Sequence, residues 1–380
     1  MTYFDYSATT PVNAEVLESF CKAATNYIAN PNSLHKLGVK ANSLIEKSTE
    51  QIAELLGVKT NEIIYTSGSS ESNNLAIKGI ADKYNNRGKH IITTQFEHSS
   101  IYGPIGYLQK QGFEIDFVKT DESGIVSLSN LEELIKEDTI LVSISSVNSE
   151  VGIRQPIEEI AKIVKKYPKC FFHVDMTQSI GKDKINFDNI DLASFSAHKF
   201  YGLKGIGCLI KKEKIQLEPL IHGGKSTTVY RSGTPALPLI VSLSKALRLI
   251  LEEQDEKLMH VKQLNEYLKN ELMKFELVKI NSNEHCIPHI LNISVLGCKP
   301  ETMQHALEEY DIYISTQTAC SSGNTVSKAV YALTNDEERA SSSIRISLSH
   351  LTTKEECDKF IESFSNCYKK LTSLRWSVWK

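Results

Sequence analysis

The chain has no uninterrupted apolar run approaching the ~18 residues that would span a bilayer, and its first ten residues, Met1–Thr10, carry no basic stretch followed by an apolar one. No membrane association is expected, and a cytoplasmic location is. Cysteine is sparse. The eight, at positions 21, 170, 208, 286, 298, 320, 357 and 367 of 380 residues, are too dilute for a disulfide scaffold, and none forms a Cys-x-x-Cys pair suited to zinc or redox work. Each is read as a separate reduced thiol, and no metal site is expected. A long basic stripe is also missing, because the net charge is -3 with Lys and Arg spread along the chain. Direct contact with nucleic acid is therefore not expected. Internal repeats, low-complexity tracts and flexible linkers are absent as well. What remains is an ordinary globular composition, 41% hydrophobic and 23% charged, long enough for two domains and suited to a small-molecule substrate.

Short apolar, β-branched runs recur from residue 63 to 211. They begin at Ile63, His90, Glu114, Ile140, Cys170, Leu192 and Ile206, and read as buried strands. Stretches with apolar residues every three or four positions, Asn74–Ala81 and Ile157–Lys166, separate some of them. This alternation predicts an α/β fold whose mainly parallel sheet is covered by helices. Pro235 and Pro238 precede a long helical pattern from about Leu239 to Phe275, taken as the bridge to a smaller α+β domain with strands at Ile290–Val295 and Ser343–Leu348 and a helix at Glu301–Tyr310. The expected division is a large domain over 15–245 and a small one over 1–14 and 246–380.

In such sheets ligands sit at the carboxyl ends of the strands, so the residues after each run are candidates for chemistry. Ser67–Asn74 is a small-residue turn entering a helix, suited to a phosphate, although alone it reads more readily as a helix cap. His98 follows the second run. Asp175 directly follows the mostly apolar run Cys170–Val174, a costly place for a carboxylate unless a cation meets it. Lys199 follows the sixth run within Ser196–Gly202. Alone it would be an ordinary surface lysine; desolvated, it becomes a nucleophile able to hold a carbonyl compound covalently. A carboxylate, a lysine, a phosphate-type turn and a ring-stacking candidate are the parts of a pyridoxal phosphate site.

Two other motifs fail. Gly223–Ser226 resembles the tail of a nucleotide-binding loop, but its first glycine would fall at Pro219 with no strand before it. Gly202–Gly207 has its glycines in the wrong order for a dinucleotide fingerprint and opens a strand. Cys320 differs from the other cysteines. It sits in a run of small polar residues, Ser315–Asn324, which reads as an exposed loop, whereas Cys170 and Cys208 lie in strand patterns as core fillers.

These residues also carry a resemblance. Asp5–Pro11, Asn30–His35, Thr66–Gly79, Glu97–His98, His173–Gln178, Ser196–Lys199, Arg231–Thr234, Ala319–Ser321 and Ile344–Leu348 together resemble the NifS/IscS-like cysteine desulfurases of the class-V aminotransferase family, in order and over nearly the whole chain. That resemblance implies pyridoxal phosphate fold type I, with a seven-stranded large-domain sheet, pyridoxal 5'-phosphate as cofactor, L-cysteine as substrate and a homodimer.

Residue by residue, the resemblance makes Lys199 the lysine that holds the cofactor and removes the substrate Cα proton. It makes Asp175 the partner of the ring nitrogen, His98 the stacking and proton-shuttling imidazole, and Gln178 the donor to the phenolic oxygen. Ser70, Ser196 and His198 would hold the phosphate, with Glu71 in the same turn and Thr234 reaching from the second subunit. Asn148 and Arg345 would bind the substrate carboxylate, Asn148 also touching the cofactor. Cys320 would receive the sulfur as a persulfide and leave alanine. The chain departs from the family pattern at Thr316–Ala319, Ser149, Leu203, 223–230 and Ser349–His350. These departures remove no catalytic group. They leave the sulfur acceptor open between a tRNA thiolation enzyme and an iron-sulfur scaffold. Rival expectations are another class-V enzyme acting on a different amino acid, such as an aminotransferase or a selenocysteine or cysteine lyase, and an inert binding paralogue.

Overall fold

The computed structural model describes residues 1–184, 186–316 and 326–377. Seven strands form the central sheet: β1 (Ile63–Thr66), β2 (His90–Thr93), β3 (Glu114–Phe117), β4 (Thr139–Ser145), β5 (Phe171–Asp175), β6 (Leu192–Ser196) and β7 (Gly207–Lys211). Their spatial order is β1-β7-β6-β5-β4-β2-β3. β7 runs antiparallel to both its neighbours, and every other pairing is parallel. Six carboxyl ends therefore share one edge of the sheet, joined there by the amino end of β7. The expected α/β sheet of seven mainly parallel strands is what forms.

Apart from the edge strand β3, the strands are apolar because helices cover both faces. Ala14–Asn26, Lys36–Leu56 and Leu237–Leu251 pack over one face around Ile52, Val142, Phe172, Phe195 and Leu243. Ser69–Tyr84 and Ser99–Lys110 cover the other around Leu75, Ile91, Leu141 and Leu209. A separate apolar core gathers Phe4 with Leu264, Leu291, Ile346 and Phe360 around the antiparallel strands Val278–Ile280, Ile290–Val295 and Ser343–Ser347.

The helical pattern expected as one stretch from Leu239 to Phe275 is two helices, Leu237–Leu251 and Gln254–Leu272. The break is at Glu253, whose φ of 54° lies in the left-handed region. Leu243 and Leu247 belong to the sheet core, whereas Val261 and Leu268 belong to the second core. A straight helix has one apolar stripe and cannot serve both, so the chain changes direction between them. The Lys257 ammonium covers the freed carbonyls of Leu249, at 2.8 Å, and Glu252.

Candidate active site

The first wall of the site is built at the sheet edge. After β1 the chain turns through Ser67 and Gly68 into the helix Ser69–Tyr84, so Ser69 and Ser70 sit in its first turn. Ser196, ending β6, ties this turn to the sheet: its Oγ accepts from the Ser69 amide at 2.6 Å and donates to the Ser69 hydroxyl at 3.0 Å. The approach requires glycine at the start of β7. A Cβ on Gly207 would stand 2.6 Å from the Phe195 carbonyl oxygen and 2.7 Å from the Gly68 Cα.

His98 caps the helix Ser99–Lys110, with Nδ1 accepting from the Ser100 amide at 3.2 Å. Burial pushes this imidazole below its usual range, while the Asp175 carboxylate pulls the other way and Lys199 pushes down. Asp175 ends β5 and is 5% exposed. Its Oδ2 accepts from Asn73 Nδ2 at 2.8 Å and its Oδ1 from the Thr177 amide at 2.9 Å and the Thr177 hydroxyl. The carboxylate is thus held on three sides with acceptor capacity to spare.

Lys199 closes a single 3-10 turn, Ala197–Lys199, directly after β6. Its Nζ donates to the carbonyls of Ser7, at 2.6 Å, and Ala8, at 2.8 Å. Those carbonyls belong to an N-terminal strap that crosses the sheet edge, pinned where the Thr10 amide meets the His198 carbonyl at 2.9 Å. Beside it, His198 Nδ1 lies 3.1 Å from the Thr9 hydroxyl, and burial with the nearby Lys199 pushes its imidazole down to about 4.

The second wall comes from the other core. Arg345, 1% exposed, projects from the strand Ser343–Ser347, and its guanidinium pairs with Asp5 at 2.8 Å and donates to the Ser149 carbonyl at 2.8 Å. The two walls enclose a cavity of about 200 Å³ whose lining includes Ser70, His98, Asp175, Gln178, His198, Lys199 and Arg345. Seven of the sequence-derived candidates are therefore brought together.

Others lie elsewhere. Ser196 stands behind the turn rather than on the cavity. Glu71 also faces away: its carboxylate accepts from the Ser67 amide at 2.8 Å and pairs with Arg231 at 3.0 Å, an arrangement that anchors the turn. Asn148 donates to the Phe96 carbonyl at 2.8 Å and accepts from the amides of Glu150 and Val151, so its side chain shapes the loop carrying Ser149. Thr234 is exposed and does not line the cavity of its own chain. Cys320 lies outside the described residues. Among the described cysteines only Cys21 is exposed, and burial pushes the thiols of Cys170 and Cys208 far up, as expected of core fillers.

Sequence reasoning does not single out Ser7, Ala8, Asp5, Asn73, Ser69 or Thr177 as site residues. Thr177 carries a usable signal, since a hydroxyl two residues after an aspartate commonly folds back onto it. Ser69 and Asn73 lie within the Ser67–Asn74 turn and its helix, while Asp5, Ser7 and Ala8 meet the site through long-range packing.

The aminotransferase class-V family model matches residues 2–360. The chain belongs to that family. It is 40% identical to a protein of Glaesserella parasuis serovar 5 named cysteine desulfurase IscS, covering 100% of this chain and 96% of the relative. Among solved structures, a NifS-like protein superposes with a TM-score of 0.91 at 37% identity, covering 98% of this chain and 100% of the other. A structure titled SspA in complex with cysteine superposes with a TM-score of 0.82 at 35% identity, over 93% of this chain and 100% of that one.

Members of this family use pyridoxal 5'-phosphate, and the cavity suits it. It offers an amine at Lys199, a carboxylate with an open acceptor position at Asp175, and helix N-terminal groups at Ser69 and Ser70. Ser7 Oγ and Arg345 Nε, both on cavity-lining residues, are buried polar atoms without a partner among the described residues. Such atoms call for a polar ligand. Among the described residues no helix is long and apolar enough to cross a membrane.

Proposed function

We propose that this chain is a pyridoxal-phosphate-dependent cysteine desulfurase that converts L-cysteine to L-alanine and collects the sulfur on Cys320. The observation that carries the reading is the convergence of Lys199, Asp175, His98 and Arg345 on one cavity at the carboxyl edge of the sheet. Relatives named cysteine desulfurase, matched along the whole chain, support the substrate.

Bound pyridoxal phosphate supplies an electron sink for charge developing at the substrate Cα. Lys199 would hold it, and its amine would take the substrate Cα proton. Asp175 would accept a hydrogen bond from the ring nitrogen and keep that nitrogen protonated. His98, whose imidazole burial pushes below its usual range, would stack on the ring and carry protons. Gln178 would donate to the phenolic oxygen, and Ser70 and His198 would hold the phosphate with support from Ser196. Arg345 binds the substrate carboxylate through its bidentate fork, with Asn148 ordering the loop beside it. The Cys320 thiolate attacks the substrate sulfur, so an S–S bond forms as the C–S bond breaks, and the electron pair left on carbon takes a proton to give alanine. The resulting persulfide passes to an acceptor, either a tRNA thiolation enzyme or an iron-sulfur scaffold. Thr234 serves the second site of a homodimer.

The test supplies cysteine and pyridoxal phosphate to purified protein, measures alanine, and detects bound sulfur on Cys320 by mass spectrometry. Cys320→Ala should abolish both persulfide and sulfur transfer. Undiminished transfer by that variant, or a protein that acquires no visible absorption with pyridoxal phosphate, overturns the reading. Cysteine labelled with radioactive sulfur, offered with each acceptor class in turn, distinguishes the acceptors.

A further inference from the structure

Lys182 is 7% exposed and lies beneath the cavity without lining it. The chain reaches it through a tight turn after Asp175, in which the Ser179 carbonyl accepts from the amides of Lys182 and Asp183, both at 2.9 Å. Gly181 makes this turn possible. Its φ is 74°, and a Cβ there would stand 2.4 Å from Ile250 Cγ1. The turn directs the Lys182 ammonium back toward the site, where its Nζ donates to Gln178 Oε1 at 3.0 Å.

Lysine is purely a donor when protonated, so the atom of the Gln178 amide that faces it must be the oxygen. The opposite end of the amide is then NH2. One of its hydrogens goes to the Ser7 carbonyl at 3.0 Å, the same oxygen that accepts from Lys199. The second is left for a ligand acceptor in the cavity that Gln178 lines. We propose that Lys182 is a positioning residue, which fixes the Gln178 amide so that it presents an N–H donor to the phenolic oxygen of the cofactor. The inference rests on the cofactor assignment above and adds what orients the donor.

The electrostatics agree. Burial, with Lys199 and Arg345 repelling it, pushes Lys182 down to about 7. The buried His289, whose Nδ1 has no partner among the described residues, is held neutral by burial with Lys182 and His350 pushing the same way. Asp5 and Asp175 offset part of this repulsion, and an anion bound in the cavity would favour the protonated, donating form of Lys182. A phenolate and a phosphate supply that charge.

The experiment follows the visible absorption of the protein loaded with pyridoxal phosphate as a function of pH, in Lys182→Met, Lys182→Arg, Gln178→Ala and the Met/Ala double variant. Losing an N–H donor to the phenolic oxygen makes that oxygen more basic and the neighbouring proton harder to remove. Losing a positive charge acts with the same sign. Lys182→Met should therefore raise the absorption midpoint by about one pH unit, and Lys182→Arg should bring it back toward the parent. In the Gln178→Ala background the Met substitution should add less than about a third of that shift, because the two residues act as one unit. If Lys182→Met unfolds the apoprotein, Lys182→Ala, which also removes the donor, carries the same comparison with Gln178→Ala. An unchanged midpoint overturns the inference, and so does a shift that persists in full without Gln178, since Lys182 would then act only as a charge. A protein that takes up no cofactor at all refutes the underlying assignment instead.

Discussion

The two walls of the cavity differ in how their residues arrive. Ser70, His98 and Lys199 follow strands of one sheet and Asp175 ends one, so local chain order places them at its edge. Arg345 and Asp5 meet 340 residues apart, one on a strand of the second core and the other on the N-terminal strap. The sheet-edge wall is rigid because its members share the sheet. The opposite wall depends on how two cores are held together, and it carries the group that suits a substrate carboxylate. On the proposed reading, the anionic cofactor would be anchored on the sheet-edge wall and the exchanging substrate would meet the composite one.

The largest effect should come from breaking the rigid wall. Gly207→Val places a branched side chain where even a Cβ stands 2.6 Å from the Phe195 carbonyl oxygen. The backbone there is flanked by strands on both sides, so it cannot yield cheaply. A loss of about 4 kcal/mol or more is expected in urea unfolding, together with loss of cofactor uptake.

Next comes the charge buried in that wall. Glu97, adjoining His98, accepts from the Thr94 hydroxyl at 2.6 Å and from the Ser145 amide and hydroxyl, yet burial outweighs these bonds and pushes its carboxyl up to about 7. An acid whose pKa is raised on folding contributes its full stability below the unfolded value. That stability is lost as pH rises through the folded value. Unfolding free energy should therefore fall between about pH 4.5 and 7, by at most about 3 kcal/mol at 1.36 kcal/mol per unit. Glu97→Gln, which mimics the protonated carboxyl, should flatten that dependence in denaturant titrations across the range. A variant as pH-dependent as the parent would show that Glu97 is already ionised in the folded protein.

The composite wall is tested by Arg345→Lys. An ammonium cannot satisfy Asp5, the Ser149 carbonyl and a carboxylate with the geometry of the guanidinium fork. KM for cysteine should rise about 10- to 100-fold, the equivalent of one or two charge-assisted hydrogen bonds, with cofactor absorption retained. Loss of cofactor without a change in KM would assign Arg345 to the other wall.

This contrast explains what could be read from the chain. Lys199, Asp175 and His98 were legible because strand ends and their following turns are local, and the parallel sheet brings them to one edge. The orientation of Glu71 was not: a carboxylate in a phosphate-type turn looks like part of the binding set until Arg231, 160 residues away, is seen to hold it outward. Asn148 is similar, since its side chain is satisfied by backbone groups of its own loop and by Phe96. The break at Glu253 was hidden because the three-and-four spacing continues on both sides of it, and only the presence of two separate cores demands a turn there.

That break supplies the smallest and most specific test of how the walls are joined. Glu253 is exposed and takes a left-handed conformation that a glutamate side chain disfavours. Asparagine tolerates this conformation better, and unlike glycine it adds little freedom to the unfolded chain. Glu253→Asn should therefore stabilise the protein by about 0.5 kcal/mol, read as a small rise in thermal midpoint. Glu253→Pro should do the reverse, because proline cannot adopt a positive φ. If the junction aligns the composite wall, the proline variant should also raise KM for cysteine while leaving the absorption midpoint of the bound cofactor where it was. Movement of that midpoint instead would mean that the junction bears on the sheet edge and that the two walls are less separate than their chain origins suggest.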